Sequence, residues 1–347
     1  MRTLLITDLH LNSKVPGLLD AQVGCVLDIF DKEKPDDVII MGDVFMHRKP
    51  SPSELLAFRD LIAGMPSSTL AHTPITILRG NHDSETKADD GVTALKLFER
   101  PSNRTLVIAA PYTDHLNKRV YIPHYENEEY IIETLHRVPP GYTVFGHFGY
   151  DGCLNSVGDS DFGIHLSNFS TLTYLGHIHS YSSTTGGTPE NPSKVTCLGT
   201  PYTTNYGEAF KDNYYAILDT NDTSLSMSRV LGCQLKTPWS GPRHLVYSAE
   251  EVENNLDTIN DPNYFTFLRV MVGANHHPIP YSKLNVAQLD VKYSPVFNEE
   301  EVSTFTPERD LFSINEIIIS DYVESANSLI PQDKLMEGYR LLKDEDQ

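Results

Sequence analysis

The stretch Arg79-Gly80-Asn81-His82-Asp83-Ser84 follows directly on an apolar run, residues 75–78, and most of it can ligate, donate or transfer protons. Short β-branched runs bounded by Gly, Asn or Asp read as strands. A buried strand that stops at Asn81, His82 and Asp83 in succession presents three functional groups at one strand end. The same device recurs along the chain. In "ITDLH" Asp8 and His10 are two residues apart, which on an extended strand sets them on one side. "IIMGDVF" ends an apolar run in Asp43, "VFGHF" in His147, and "YLGHIHS" in His177 and His179. In four of these five places a glycine immediately precedes the polar group.

Collected, the set is Asp8, His10, Asp43, Asn81, His147, His177 and His179: two carboxylates, one amide oxygen and four imidazoles. Such oxygen and nitrogen donors suffice for two divalent ions if one carboxylate bridges them. No cysteine belongs to the set, which disfavours a soft thiolate site. Mn²⁺ suits mixed imidazole and carboxylate shells best, with Mg²⁺, Fe²⁺ and Zn²⁺ open. One such residue after a strand is more often a helix cap or a satisfied loop group, but five stations together are not.

The rest of the chain bounds the reading. Its 347 residues carry a formal net charge of −20 and a hydrophobic fraction of 39%, as in an ordinary globular protein. No apolar stretch approaches the roughly 20 residues that cross a bilayer, so no membrane role is expected. The start of the chain reads as a strand and not as a signal peptide, and Cys25, Cys153, Cys197 and Cys233 are scattered. Both point to a reduced, cytoplasmic protein. Acidity lowers the prospect of unaided nucleic-acid binding, although metal ions can supply positive charge.

Strands are expected over residues 2–7, 37–41, 75–78, 106–109, 143–145, 171–175, 195–198 and 214–218, and helices over 18–34 and 53–63, the second starting at Ser53. Residues 182–194 read as a surface loop or hairpin tip. Strands alternating with helices predict α/β layers with functional groups at strand ends. A linker at 238–242 leads to a small α/β unit, with helices over 248–259 and 281–288 and strands over 264–272 and 289–297. Helices over 313–327 and 332–343 end the chain. The expected division is 1–235, 236–300 and 301–347.

At these residues the sequence resembles the calcineurin-like metallophosphoesterase superfamily, whose pattern DxH, GDxx, GNHD, H, GHxH is met in order over residues 8–179. The resemblance implies a four-layer α/β/β/α sandwich. It implies that Asp8, His10, Asp43 and His179 hold one metal, and that Asp43 bridges to a second held also by Asn81, His147 and His177. His82 would be the unligated histidine that protonates the leaving oxygen, oriented by Asp83. Two ions would bind the phosphate oxygens and acidify a water between them. Two further segments, "GDVFMHRKPSPSEL" and "LGTPYTTNYGEAFKDNYYAILD", are similar to those of SbcD-like DNA nucleases, the family of the Mre nuclease, in a short form like that of bacteriophage versions. Met46 stands where that family usually has Asp.

That likeness implies a metal-dependent DNA exonuclease of recombination, repair or replication, in the host cytoplasm if the protein is a phage one. Residues 236–300 would form a capping domain that contacts DNA. The terminal helices would dock on an SMC/Rad-type (SbcC-like) ATPase, with two copies forming a homodimer within a heterotetramer. The rival reading keeps the site and changes the substrate: a phosphatase or small-molecule phosphodiesterase. A non-catalytic scaffold is disfavoured by the intact ligand set with His82. Arg48, Lys49, Arg100, Arg104, Lys118 and Arg119 are candidate backbone contacts, and Tyr150, Tyr202, Tyr206 and Phe210 candidate stacking residues. The remaining histidines, His124 and His244 among them, lack a strand-end pair and read as structural or surface residues.

Overall fold

The computed structural model describes residues 1–65, 73–100, 105–153, 163–219, 232–273 and 278–293. The expected helices at 313–327 and 332–343, and Arg104, lie outside them. The described residues all fall within one compact unit, 1–294.

Two six-stranded sheets carry the fold. In the first, β1 (Arg2–Ile6), β2 (Asp37–Ile40), β3 (Ile75–Leu78) and β4 (Thr105–Ile108) run parallel. β11 (Tyr215–Asp219) joins β1 antiparallel and β12 (Gly232–Lys236) joins β11. In the second, β6 (Arg119–Ile122), β7 (Thr143–His147), β8 (Thr173–Gly176) and β10 (Asn191–Cys197) run parallel. β5 (Tyr112–Asp114) and β9 (Ser182–Thr188) are its antiparallel edges. The stretch at 182–194 is thus a hairpin, with Thr188 paired to Asn191 across its tip.

Alternation along the strands sets the layers. Leu5, Ile39 and Leu78 of the first sheet pack with Tyr121, Phe145 and Tyr174 of the second to fill the space between them. Leu4, Ile40 and Ile77 face the opposite way, onto α1 (Leu18–Glu33) and α2 (Pro52–Ala63) through Val26, Ile29, Phe58 and Leu61. Val120, Val144 and Leu175 of the second sheet pack on Ile131 and Leu135 of α3 (Glu128–His136). The result is the expected four-layer α/β/β/α sandwich.

Local chemistry moved some boundaries. α2 is capped by Ser51 and not Ser53: the Ser51 hydroxyl accepts from the Glu54 N–H while Glu54 accepts from the Ser51 N–H, with Pro52 at the first helical position. β13 (Gly241–Ser248), β14 (Tyr264–Val272) and β15 (Gln288–Tyr293) form a third, all-parallel sheet. Between β13 and β14 the expected continuous helix is two short pieces, α4 (Ala249–Val252) and α5 (Leu256–Ile259), separated by a 3-10 turn. The expected helix at 281–288 is one 3-10 turn, Tyr281–Lys283. It cannot propagate, because the Asn285 N–H goes to the Asn260 side chain and the Ala287 N–H to the Thr266 carbonyl.

The third sheet rests on the first layer of helices and on the loop after β10. Gly241 has φ of +108°, and a Cβ there would lie 2.7 Å from Cys25 Cβ, so only glycine lets β13 approach α1 this closely. His244 N–H donates to Thr203 Oγ1 at 2.7 Å, and the ring stacks on Phe267 at 4.5 Å.

Candidate metal centre

Parallel strands deliver their C-terminal ends to one edge, and there the singled-out residues meet. Asp8 and His10 follow β1, Asp43 follows β2, Asn81 and His82 follow β3, His147 ends β7, and His177 and His179 follow β8. The chain bends sharply to aim them. Asp8, His10, Asp43 and His177 all have positive φ, between 44° and 79°, and such strain in non-glycine residues concentrates where the backbone must serve a site. Gly80 permits the closest approach: a Cβ there would fall 2.1 Å from Asp43 Oδ1.

The cluster has two halves sharing Asp43. On one side Asp8 Oδ1 lies 3.8 Å from both His10 Nε2 and His179 Nε2, and Asp43 Oδ2 lies 3.8 Å from His10 Nε2. The two imidazole nitrogens are 2.9 Å apart. On the other side Asp43 Oδ1 is 3.4 Å from His147 Nε2, and Asn81 Oδ1 is 3.1 Å from both His147 Nε2 and His177 Nδ1. Each carboxylate oxygen of Asp43 thus faces a different half.

These donors fit divalent cations. Asp8 Oδ2 accepts from Thr7 Oγ1 and the His177 N–H, yet the wholly buried Oδ1 has no donor among the described residues and faces two imidazoles. An anionic oxygen buried without a donor is costly unless a cation meets it. Burial pushes Asp8 up, whereas for Asp43 the field of His147, His10 and His82 overcomes burial and holds the carboxyl far below its usual range. Against its own burial, His147 is held up to about 9 by Asp43, while burial drives His10 down to about 3. Asp43 thus keeps its negative charge at the middle of the cluster, and the nitrogen and oxygen donors around it are those that hold divalent ions.

Ligand orientation is fixed from behind. His147 Nδ1 contacts the Met41 carbonyl at 2.6 Å. His179 Nδ1 contacts Glu208 Oε1 at 2.6 Å, and Glu208 is itself held by the Thr204 N–H at 2.6 Å. Glu208 is buried; despite that burial, His179 keeps its carboxyl low, and Glu208 and Asp8 raise His179. A carboxylate behind a ligating imidazole fixes its tautomer and strengthens it as a donor. Glu208 stands in the sequence 29 residues beyond His179, with only the "GTPY…E" segment to signal it.

His82 sits beside both halves, its ring 5.0 Å from that of His10. Its main-chain N–H donates to Asp43 Oδ1 and its Nδ1 contacts the Met46 carbonyl at 2.6 Å, which leaves Nε2 as the opposite edge of the ring; a ring nitrogen of His82 lies within 4.8 Å of donor atoms of His10 and Asp43. The orienting role expected for Asp83 is corrected here. Its carboxylate accepts from the N–H groups of Val44, Phe45 and Gly80, and no hydrogen bond or ion pair joins it to His82 among the described residues. Burial and the charge of Asp43 raise Asp83 to about 7. It ties the loop after β2 to the loop after β3 and so acts on the site through the backbone.

His124, read from sequence as structural or surface, lies against the second half, its ring 5.8 Å from His177 and 6.3 Å from His147. Neither ring nitrogen has a hydrogen bond among the described residues, and burial drives it down to about 3. Other candidates fall elsewhere. Arg119 is buried and paired with Asp37 at the opposite end of the strands, so it is no backbone contact. Arg48 donates to the carbonyls of Ser84 and Thr86. Tyr202 is buried with its hydroxyl on the Leu9 carbonyl, and Tyr206 is covered by Arg269, whereas Phe210 is 82% exposed.

The sequence pattern of the calcineurin-like phosphoesterase family matches residues 1–181. Among solved structures, the chain is similar to a nuclease MPE from Pseudomonas putida, at 14% identity and a TM-score of 0.30, over 56% of this chain and 72% of that one. It is also similar to Yfce, a phosphoesterase from E. coli, at 18% identity and a TM-score of 0.33, over 63% and 88% respectively. No curated protein matches it. Among the described residues no helix is long and apolar enough to cross a membrane.

Proposed function

This chain belongs to the calcineurin-like phosphoesterase family, and from that premise we propose that it is a two-metal DNA nuclease that cleaves phosphodiester bonds exonucleolytically. As a family member it is a metal-dependent phosphoester hydrolase. The observation that carries the reading is the shared carboxylate: Asp43 turns one oxygen to each half of the cluster, with the ring of His82 alongside.

In this reading Asp8, His10, Asp43 and His179 hold one divalent ion, Mn²⁺ by preference, and Asp43, Asn81, His147 and His177 a second. The ions supply charge stabilisation for the phosphoryl oxygens and lower the pKa of water. His82, its Nδ1–H fixed on the Met46 carbonyl, delivers a proton from Nε2 to the leaving oxygen. Asp83 and Gly80 keep the two metal-bearing loops in register. Glu208 holds His179.

The diester and DNA parts of the reading rest on the two nuclease-like segments. A chain with a net charge of −20 would take its DNA affinity from an SMC/Rad-type ATPase partner, docked through residues 301–347. The third sheet would be the capping element that meets DNA.

The test is hydrolysis of end-labelled single- and double-stranded DNA with Mn²⁺ or Mg²⁺, alongside bis(p-nitrophenyl) phosphate. Metal-dependent DNA degradation that falls about 10²- to 10⁴-fold in His82→Ala is expected, with metal binding retained. Turnover of the small ester with DNA untouched, even after addition of a candidate ATPase, moves the protein to the phosphatase class.

A further inference from the structure

Next to the metal centre lies a cleft of about 500 Å³ that none of the catalytic roles uses. Tyr150, Tyr181 and Tyr214 line it, together with Ser180, Lys211 and Asp212. Ser180 and Tyr181 are the two residues after His179, so the cleft begins within about 7 Å of chain from a proposed ligand. Its far wall is tied to the same place: Glu208 holds His179, and three residues on Lys211 Nζ donates to Ser180 Oγ at 2.7 Å.

The cleft offers ring faces and polar edges together. The rings of Tyr181 and Tyr214 meet at 5.2 Å with a tilt of 59°, forming a corner, and Tyr181 is 36% exposed. The Tyr214 hydroxyl donates to Asp212, and the Tyr150 hydroxyl to Ser182 Oγ, so the phenols are held in place. Fixed aromatic faces suit a flat heteroaromatic ring at small entropic cost. Asp212 and Ser180 offer acceptors at the ring's edge, and the ammonium of Lys211 suits a neighbouring phosphate. Because Ser180 and Tyr181 directly follow His179, the cleft opens beside the metal cluster, where a nucleoside whose phosphate lay there would place its base.

We propose that this cleft is a nucleobase subsite, in which Tyr181 and Tyr214 stack the base of the nucleotide adjoining the scissile phosphate and Lys211 meets the next phosphate of the strand. This deepens the nuclease reading and rests on it. Stacking of this kind tolerates any base, as exonucleolytic digestion requires.

The Mn²⁺-loaded full-length protein is assayed on three esters with the same leaving group: the p-nitrophenyl esters of thymidine 5′-phosphate and thymidine 3′-phosphate, and methyl p-nitrophenyl phosphate. One nucleoside ester is expected to be preferred in kcat/KM. Tyr181→Ala is expected to cut that preference about 5- to 150-fold through KM, while Tyr181→Phe keeps it. Saturation-transfer NMR with thymidine and metal-free protein reads the same contact without turnover, and its signal is expected to vanish in Tyr181→Ala. Equal turnover of all three esters by the wild type overturns the subsite and leaves the hydrolase standing. So does a preference that survives both Tyr181→Ala and Tyr214→Ala. Failure to hydrolyse any ester or DNA overturns the nuclease reading instead, and the thymidine signal then decides the cleft by itself.

Discussion

The two halves of the centre are built from similar donors but braced differently. In the half made by Asp8, His10 and His179, the rear partner of His179 is a buried carboxylate, Glu208, from a loop beyond the second sheet. In the half made by Asn81, His147 and His177, the rear partner of His147 is the Met41 carbonyl at the end of β2. A charged side chain strengthens an imidazole as a ligand and can be removed by substitution, whereas a main-chain carbonyl is neutral and comes with the strand. The first half is thus open to tuning from outside the strand framework, and the second is as rigid as the sheets.

Breaking what the halves share is expected to have the largest effect. Asp43→Ala removes the one carboxylate facing both, so activity should fall by at least about 10³-fold and calorimetric titration with Mn²⁺ should show both sites weakened. Retention of one site at full affinity would show that Asp43 does not bridge. Glu208→Gln sharpens the asymmetry. It should weaken one Mn²⁺ about 10- to 100-fold and leave the other unchanged, read by electron paramagnetic resonance during titration. Equal weakening of both would remove the distinction.

Glu208 lies in the same loop as Thr203, which His244 of the third sheet engages, so the sheet's attachment bears on the first half. Burial holds His244 down to about 4 against an ordinary 6.5, with Glu208 opposing and Arg269 adding to the shift. The unfolded chain therefore binds the extra proton between those values, and stability should rise with pH from about 4 to 6.5, by up to about 3 kcal/mol. Urea unfolding across that window should show the slope in the wild type and a flatter one in His244→Gln. An unchanged slope would assign it to other groups.

The smallest effect is expected for Met46→Ala. The main-chain carbonyl and not the side chain holds His82, so activity on a small ester should stay within about twofold. A large loss would mean that the thioether, in the position where SbcD-like nucleases usually carry Asp, has a part in the reaction.

By itself, the sequence determined the strands that end in polar groups, their order, and hence the collection of Asp8, His10, Asp43, Asn81, His147, His177 and His179 on one edge. Those signals are local. A β-branched run followed by glycine and an acid or imidazole is legible within six residues, and parallel strands must bring such ends together. Two strands of the small all-parallel sheet near the end of the described chain, β14 and β15, were legible in the same way; β13 was not, because its start at Gly241 read as part of a linker, and the helix over 281–288 was overestimated, because the N–H groups of Asn285 and Ala287 are taken by distant acceptors.

Only the tertiary structure decided which group stands behind which. Asp83 adjoins His82 in sequence yet serves three main-chain N–H groups, and the partner of His82 is a carbonyl 36 residues earlier. His124 carries no strand-end mark, and its place beside His147 and His177 follows from where β6 ends. The cleft of Tyr150, Tyr181 and Tyr214 gathers residues from three loops. Hydrogen bonds and ring contacts depend on ångström-scale loop conformation, which no local pattern encodes, whereas strand ends depend on periodicity, which is written in the chain.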